Sequence, residues 1–429
     1  MYEMKDSGVA WIGEIPSNWR VVSTKYLFHI LSGATPDSSK PENWDGDINW
    51  VTPADYKTSD IFVTTGRRSL TQIGFDSCST NMIPAGNIIF SKRAPIGSVA
   101  INKSNLCTNQ GCLSCVSKGN SLVKYYYYVM SIATEHYELL GSGTTFKEIS
   151  AASFSNFLLP NPNYQAQTEI SEFLDRRCSL VDALAANVQS QIEKLKAYKQ
   201  SLITEAVTKG LDSTVPMKDS GVDWIGHIPN AWEVKPMLSE IETVVDYRGK
   251  TPEKVDAGIL LVTARNIKDG KIDYSISQEY VRSNEYEEIM HRGKLNIGDI
   301  LFTTEAPLGA VANVDRTDFA LAQRIIKFTT KSTLNPYYLK YWMLSLIFQQ
   351  HLKSYATGST ASGIKASKLC LLKLVNPPRL EQDDIVSYLD KKCSQIDRLI
   401  AIKQAKIEKL EQYKRSLIYE YVTGKKEVS

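Results

Sequence analysis

Several groups of residues have types and spacing that would suit chemistry. Asn376-Pro377-Pro378-Arg379 carries three letters of the Asn-Pro-Pro-aromatic loop that an amino-group methyltransferase needs, but Arg379 stands in place of the aromatic. The other repeat has Asn161-Pro162-Asn163-Tyr164 there, and no glycine-rich strand-to-helix turn supplies a cofactor loop. Both segments precede long helical patterns, so the expected role is a proline-fixed run into a helix. Gly249-Lys250-Thr251 ends like a phosphate-binding loop, yet Val244 occupies the position of the required earlier glycine. Cys107, Cys112 and Cys115, with Cys78, would make a zinc set, but Ile325 and Phe328 stand at the places matching Cys112 and Cys115 in the chain's second half, which favours buried thiols. The five histidines show no His-Glu-x-x-His spacing for metal or triad chemistry.

Polar and cationic residues beside turns remain, where side chains can reach base edges or phosphates. In the first half they are Thr52, Asp55, Tyr56, Lys92, Arg93, Gln110, Thr144, Thr145 and Lys147. In the second they are Thr263, Arg265, Asn266, Thr304, Glu305, Gln323, Arg324, Ser359, Thr360 and Lys365. Arginine, and asparagine or glutamine, suit bidentate reading of guanine and adenine edges; a solvated surface role is the alternative for each. The Tyr125–Tyr128 run would stack on bases, although its helical spacing favours core packing. A formal net charge of +3 neither demands nor excludes a polyanionic partner.

The elements that position these residues are written twice. Residues 4–21 and 217–234 agree at 13 of 18 positions, and 174–208 and 389–423 agree at 20 of 35. Between these ends the halves share sparse anchors: Thr35-Pro36 with Thr251-Pro252, and Ala94-Pro95-Ile96-Gly97 with Ala306-Pro307-Leu308-Gly309. A period above 200 residues is a domain duplication, far beyond solenoid repeats. The repeated ends put Leu174, Val181, Val188, Leu195 and Leu202 at heptad spacing, with Leu184, Ile192 and Tyr198 flanking; the second copy has Leu389, Ile396, Leu410 and Leu417, with Leu399, Ile407 and Tyr413, interrupted by Lys403. A helix of some 40 residues, about 60 Å long, needs a partner for its stripe, and the other copy supplies it. The short linker Lys209–Pro216 sends the first helix toward the second variable region, so the pair must be antiparallel. Within the middles, Ile88–Phe90 and Ile300–Phe302 read as strands that turn through Ala-Pro-x-Gly into Val99–Ile101 and Val311–Asn313; Tyr125–Leu140 and Tyr337–Leu352 read as helices packed on them.

Two variable regions in a repeated frame resemble the specificity subunits of type I restriction-modification enzymes over essentially the whole chain. The phrases that carry the resemblance are Trp11-Ile12-Gly13-Glu14-Ile15-Pro16 with Trp19, its copy Trp224–Pro229 with Trp232, the turn Ser91–Gly97, and the helix ending Ile192–Thr208. Glu305 departs from the first half's turn, which has Arg93. The resemblance implies an α+β fold: two mixed α/β target recognition domains separated by a long antiparallel two-helix coiled coil with internal pseudo-two-fold symmetry. The expected divisions are 1–164 and 212–379 for the recognition domains, 165–211 and 380–425 for the spacer helices. It also implies a non-catalytic chain that reads a bipartite, asymmetric double-stranded DNA target with a fixed gap. Two methyltransferase subunits would use S-adenosylmethionine, and two restriction subunits ATP and magnesium, while this chain holds no cofactor or metal. A coiled-coil scaffold for two protein partners, without sequence-specific DNA binding, is the rival reading.

Composition agrees with a folded soluble protein, at 43% hydrophobic and 23% charged residues. No run of 18 apolar residues is present, and Glu3 and Asp6 lie where a signal peptide would be cationic. Seven scattered cysteines do not read as a disulfide framework. These features point to the cytoplasm and away from membranes.

Overall fold

The computed structural model describes residues 3–57, 61–119, 121–143, 147–247, 252–357 and 363–428. Thr144, Thr145, Ser359, Thr360 and the Gly249-Lys250-Thr251 segment lie outside the described residues. The chain forms two compact units, Met1–Val188 with Ala405–Ser429, and Gln189–Gln404. Each unit thus holds one variable half and a stretch of each repeated helix.

In the first unit, β1 (Phe28–Ser32), β2 (Trp44–Val51), β3 (Phe62–Val63), β4 (Arg68–Leu70), β5 (Ile88–Ser91), β6 (Val99–Asn102), β7 (Cys107–Thr108) and β8 (Cys112–Ser117) make two sheets. Their orders are β1-β8-β5-β6-β3 and β7-β2-β4. β5 reads as a continuous apolar run because both its faces are covered. Ile88 and Phe90 join the cluster containing Tyr125 and Val129, whereas Ile89 joins Val51 and Tyr56. The helices behind are α1 (Val123–Ile132) and α2 (Thr134–Leu139), followed by the long α3 (Tyr164–Lys209).

The second unit repeats this plan with β9 (Ile241–Asp246), β10 (Ile259–Val262), β11 (Tyr280–Val281), β12 (Ile300–Thr303), β13 (Val311–Asn313), β14 (Phe319–Leu321) and β15 (Ile325–Thr330). The sheet orders are β9-β15-β12-β13 and β11-β10-β14. Ile300 and Phe302 pack toward Trp342, and Leu301 toward Leu261 and Phe319. α4 (Pro336–Leu344), α5 (Leu346–Ser354) and the long α6 (Arg379–Val422) complete it.

Both anticipated hairpins form, β5 pairing β6 and β12 pairing β13, antiparallel. Their turns match: a cis bond precedes Pro95 and Pro307, and φ is positive at Ala94, Gly97, Ala306 and Gly309. Ser91 Oγ donates to Pro95 O (2.6 Å) as Thr303 Oγ1 does to Pro307 O (2.5 Å).

The four tyrosines of α1 are core residues, each at most 5% exposed. Their hydroxyls fasten the sheet layer to the long helices: Tyr125 donates to Val422 O (2.8 Å) and Tyr128 to Asp175 Oδ1 (2.6 Å). In the second unit Tyr338 donates to Val375 O (2.9 Å) and Tyr341 to Asp390 Oδ1 (2.5 Å). Base stacking by this run is thereby replaced by packing.

The Asn-Pro segments are strand-to-helix joints. The strand Leu158–Asn161 leads into α3 and Lys373–Asn376 into α6. A buried glutamine in each first turn staples the joint, Gln167 donating to Pro162 O and Gln382 to Pro377 O, both at 2.9 Å. The same side chains accept from Leu122 N and Asn335 N.

The helices run antiparallel within each unit, through Lys414–Asp182 (2.7 Å) in the first and Lys199–Asp397 (2.6 Å) in the second. Lys403, which breaks the apolar pattern, donates to Gln191. The seam itself differs from the expected one. Leu174, Val181, Val188 and Leu202 are buried, and so are Cys178, Ile192 and Ala206, four residues after a heptad leucine or valine. Leu184 and Tyr198, three residues after one, are about half exposed, as are Leu399 and Tyr413. The partner helix lies on the i+4 side of the stripe, and a two-helix contact is too narrow to cover both.

Candidate nucleic-acid interface

In the first unit three segments distant in sequence are woven at the end of β5. Lys92 N donates to Gly111 O (2.9 Å) and Ile149 N to Lys92 O (3.0 Å); Arg93 forms a backbone bridge with Glu148. The side chains follow: Lys92 Nζ lies 2.7 Å and Arg93 Nη1 3.2 Å from the Glu148 carboxylate. The hydrogen bond from Lys92, reinforced by Arg93, holds that carboxyl below the usual carboxylate range. Gln110 is exposed on the 109–112 turn and bonds Thr35. Lys147 is exposed beside Glu148.

Thr52 and Asp55 close a capping box, with Thr52 Oγ1 donating to Asp55 Oδ2 (2.7 Å). Asp55 also accepts from Arg67 N (3.1 Å), and the Arg67 side chain is 80% exposed. Tyr56 is only 3% exposed and contacts Cys112 Sγ at 3.6 Å. Burial pushes its phenol up and the Cys112 thiol up to about 12. Tyr56 is therefore a core residue, which corrects its place among the surface candidates.

The second unit keeps the weave and changes its side chains. Thr304 N donates to Arg324 O (2.9 Å) and Ile364 N to Thr304 O (3.0 Å), while Glu305 bridges Gly363. Glu305 Oε1 pairs with Arg324 Nε at 2.8 Å. Thr263 caps through Asn266, whose Nδ2 donates to Asp273 O (2.9 Å) and Ser277 O (3.1 Å). Asn266 and Thr304 are buried, and their polar groups shape the loops instead of facing solvent. Arg265 and Lys365 are exposed. Gln323 lines a cavity of about 360 Å³ with Tyr247, His291 and Arg292. The bridges Arg93–Glu148 and Glu305–Gly363 make Gly363 the counterpart of Glu148, so Lys365 corresponds to Ser150.

Sequence reading missed Glu148 and Arg67. Glu148 follows an anticipated lysine, but its partners lie 55 and 56 positions away and no local pattern signals them. Three cysteines of the supposed zinc set enter separate apolar clusters, Cys115 with Phe90, Cys112 with Tyr56 and Cys107 with Trp44, while the half-buried Cys78 donates to Gly74 O (3.6 Å). Burial raises the Cys107 thiol to about 12. Among the described residues no helix is long and apolar enough to cross a membrane.

The family model for the type I restriction modification DNA specificity domain matches residues 16–194 and 253–412. The chain is 32% identical over 231 residues to the MjaIX specificity subunit of a type I restriction enzyme from Methanocaldococcus jannaschii, a match covering 52% of each protein. To the MjaVIII specificity subunit from the same organism it is 25% identical over 428 residues, 96% of this chain and 93% of the relative. The chain thus spans about half of the first relative and nearly all of the second. A chain solved in work on assembly and conformational transition of the type I R-M system shares the fold at a TM-score of 0.69 and 14% identity, covering 95% of this chain and 98% of its own. With the family model covering well over half of its length in two blocks, one from each written copy, this chain belongs to the type I restriction modification DNA specificity family.

Proposed function

We propose that this chain reads a bipartite, asymmetric duplex target with a fixed gap and recruits two methyltransferase and two restriction subunits in the cytoplasm. Methyl transfer from S-adenosylmethionine to adenine, and ATP- and magnesium-dependent work on DNA, belong to those partners. The observation that carries this reading is the repeated weave: one set of backbone hydrogen bonds, in two units, presenting different side chains. Lys92, Arg93 and Glu148 occupy it in the first unit, Glu305 and Arg324 in the second. A common scaffold with unlike polar groups is what reading two different half-sites requires.

The long helices support recruitment. The register that pairs Lys414 with Asp182 sets Tyr413 opposite Leu184, and that of Lys199 with Asp397 sets Tyr198 opposite Leu399. Exposures match between the units, 51% for Leu184 against 48% for Leu399, and 57% for Tyr198 against 55% for Tyr413. Each unit offers the same apolar pair to one copy of a partner.

Methylome mapping of cells carrying the system is the test. A two-part methylated motif is expected, and exchanging residues 22–160 for those of another such subunit should change one half only. A motif with both halves altered, or no motif, would sink the reading; the last result would favour a scaffold without sequence-specific binding.

A further inference from the structure

At the weave, the second unit carries an arginine where the first carries glycine. Arg324 takes the place of Gly111, since each supplies the carbonyl that accepts from the residue following the hairpin's first strand. Arg324 has φ +78°, in the left-handed region that side chains rarely adopt. Outliers of this kind persist where surrounding structure holds them, and they concentrate at functional sites.

The neighbourhood has changed in concert to admit it. In the first unit a Cβ on Gly111 would stand 3.0 Å from Pro53 Cγ, so a side chain there would need the ring to shift by a few tenths of an ångström. The residue matching Pro53 after the capping threonine is Ala264, which removes that ring. Opposite, Glu148 is replaced by Gly363, where a Cβ would stand 3.2 Å from Glu305 Cβ. The carboxylate has moved onto the turn and the cation onto the segment of Gly111: Arg93 on the turn facing Glu148 becomes Glu305 on the turn facing Arg324. Both members of the second pair remain partly exposed, 46% for Arg324 and 40% for Glu305.

We propose that Arg324 is the base-reading side chain of the second unit, recognising the O6 and N7 edge of a guanine in the major groove, with Glu305 as its positioning residue. Glu305 engages Nε, and the terminal nitrogens of the guanidinium supply the paired donors that a guanine edge accepts. The buried Thr304 fixes the arginine's backbone from behind, both its N and its Oγ1 donating to Arg324 O. A left-handed arginine, held by its backbone and aimed by a carboxylate, loses little further freedom on meeting a base. The first unit, with glycine at this address, must read its half-site by other side chains. This inference rests on the reading of the chain as a sequence-specific DNA binder.

The deciding variant is Arg324→Gly, which installs the first unit's residue and suits the backbone angle, so its thermal midpoint should equal or exceed the wild type's. The full chain, co-purified with its methyltransferase partner, is offered a pool of random duplex DNA, and bound molecules are sequenced. Expected is loss of guanine preference, by about tenfold or more, at one base pair of one half-site, with the other half-site intact. Arg324→Lys, which keeps the charge but not the fork, should lose most of that preference while retaining overall affinity. An unchanged motif in Arg324→Gly overturns the proposal. So does weakening spread evenly over all sequences, which would make Arg324 a phosphate contact. A wild-type pool without a bipartite motif overturns the DNA-reading assignment itself, and this inference with it.

Discussion

The residues that differ between the two copies carry the most information. Inside the second sheet, Lys327 and Asp299 form an ion pair at 2.8 Å with both side chains at most 3% exposed. Lys327 also donates to Lys294 O (2.7 Å), and Asp299 accepts from Thr329 Oγ1 (2.7 Å). In the first unit the matching positions are Ser114 and Asn87, and Ser114 Oγ is buried with no hydrogen-bond partner among the described residues. A satisfied buried pair adds little over neutral groups, but removing one partner strands the other. Lys327→Met should therefore cost about 3–5 kcal/mol by chemical denaturation. The double change Lys327→Ser with Asp299→Asn, which imports the first unit's solution, should cost clearly less. Equal losses would show that packing, not charge, dominates at this site. Glu148 gives the other residue-scale expectation. Its carboxyl is held below the ordinary range by Lys92, so its stabilising effect is full above the unfolded-state value and fades as pH falls through the folded one. The thermal midpoint of wild type over Glu148→Gln should shrink below about pH 4.3 and stay constant from pH 6 to 8. A constant difference at acid pH would remove the ion-pair account.

At the scale of elements, legibility depended on how local the deciding contacts are. The hairpins of β5–β6 and β12–β13 were readable because their apolar runs and Ala-Pro-x-Gly turns are contiguous. The small sheets β7-β2-β4 and β11-β10-β14 were not, because β7 pairs β2, and β14 pairs β10, in parallel from distant positions. The long helices were evident from their repeat, yet the choice of seam was not. Leu184 and Ile192 look alike in a heptad pattern, and the position of the partner helix separates them. That separation is measurable. Ile192 is 1% exposed, so Ile192→Ala should cost about 2–4 kcal/mol. Leu184→Ala with Leu399→Ala should change stability by no more than about 0.5 kcal/mol per site. The same double variant should lose much of its co-elution with the methyltransferase subunit in size-exclusion chromatography. Full retention of the partner would move the docking surface off these helices.

At the scale of the whole molecule, duplication divides the labour. The parts that repeat build frame and joints: the Tyr128–Asp175 and Tyr341–Asp390 ties, the Gln167 and Gln382 staples, the Lys414–Asp182 and Lys199–Asp397 pairs. The parts that fail to repeat hold the candidate readers. On the proposed reading, the gap between half-sites is a property of the frame and their letters a property of the units, and the two can be varied separately. Four residues inserted near Gln200, with four more near Ile396 to preserve the antiparallel register, would add about one helical turn or 6 Å. Base pairs rise about 3.4 Å each, so the methylated motif should keep both half-sites and gain about two base pairs in its gap. Methylome mapping reads both quantities in one measurement. A longer gap with unaltered letters would make the helices a ruler, whereas altered letters with the old gap would place spacing in the units themselves and end the ruler argument.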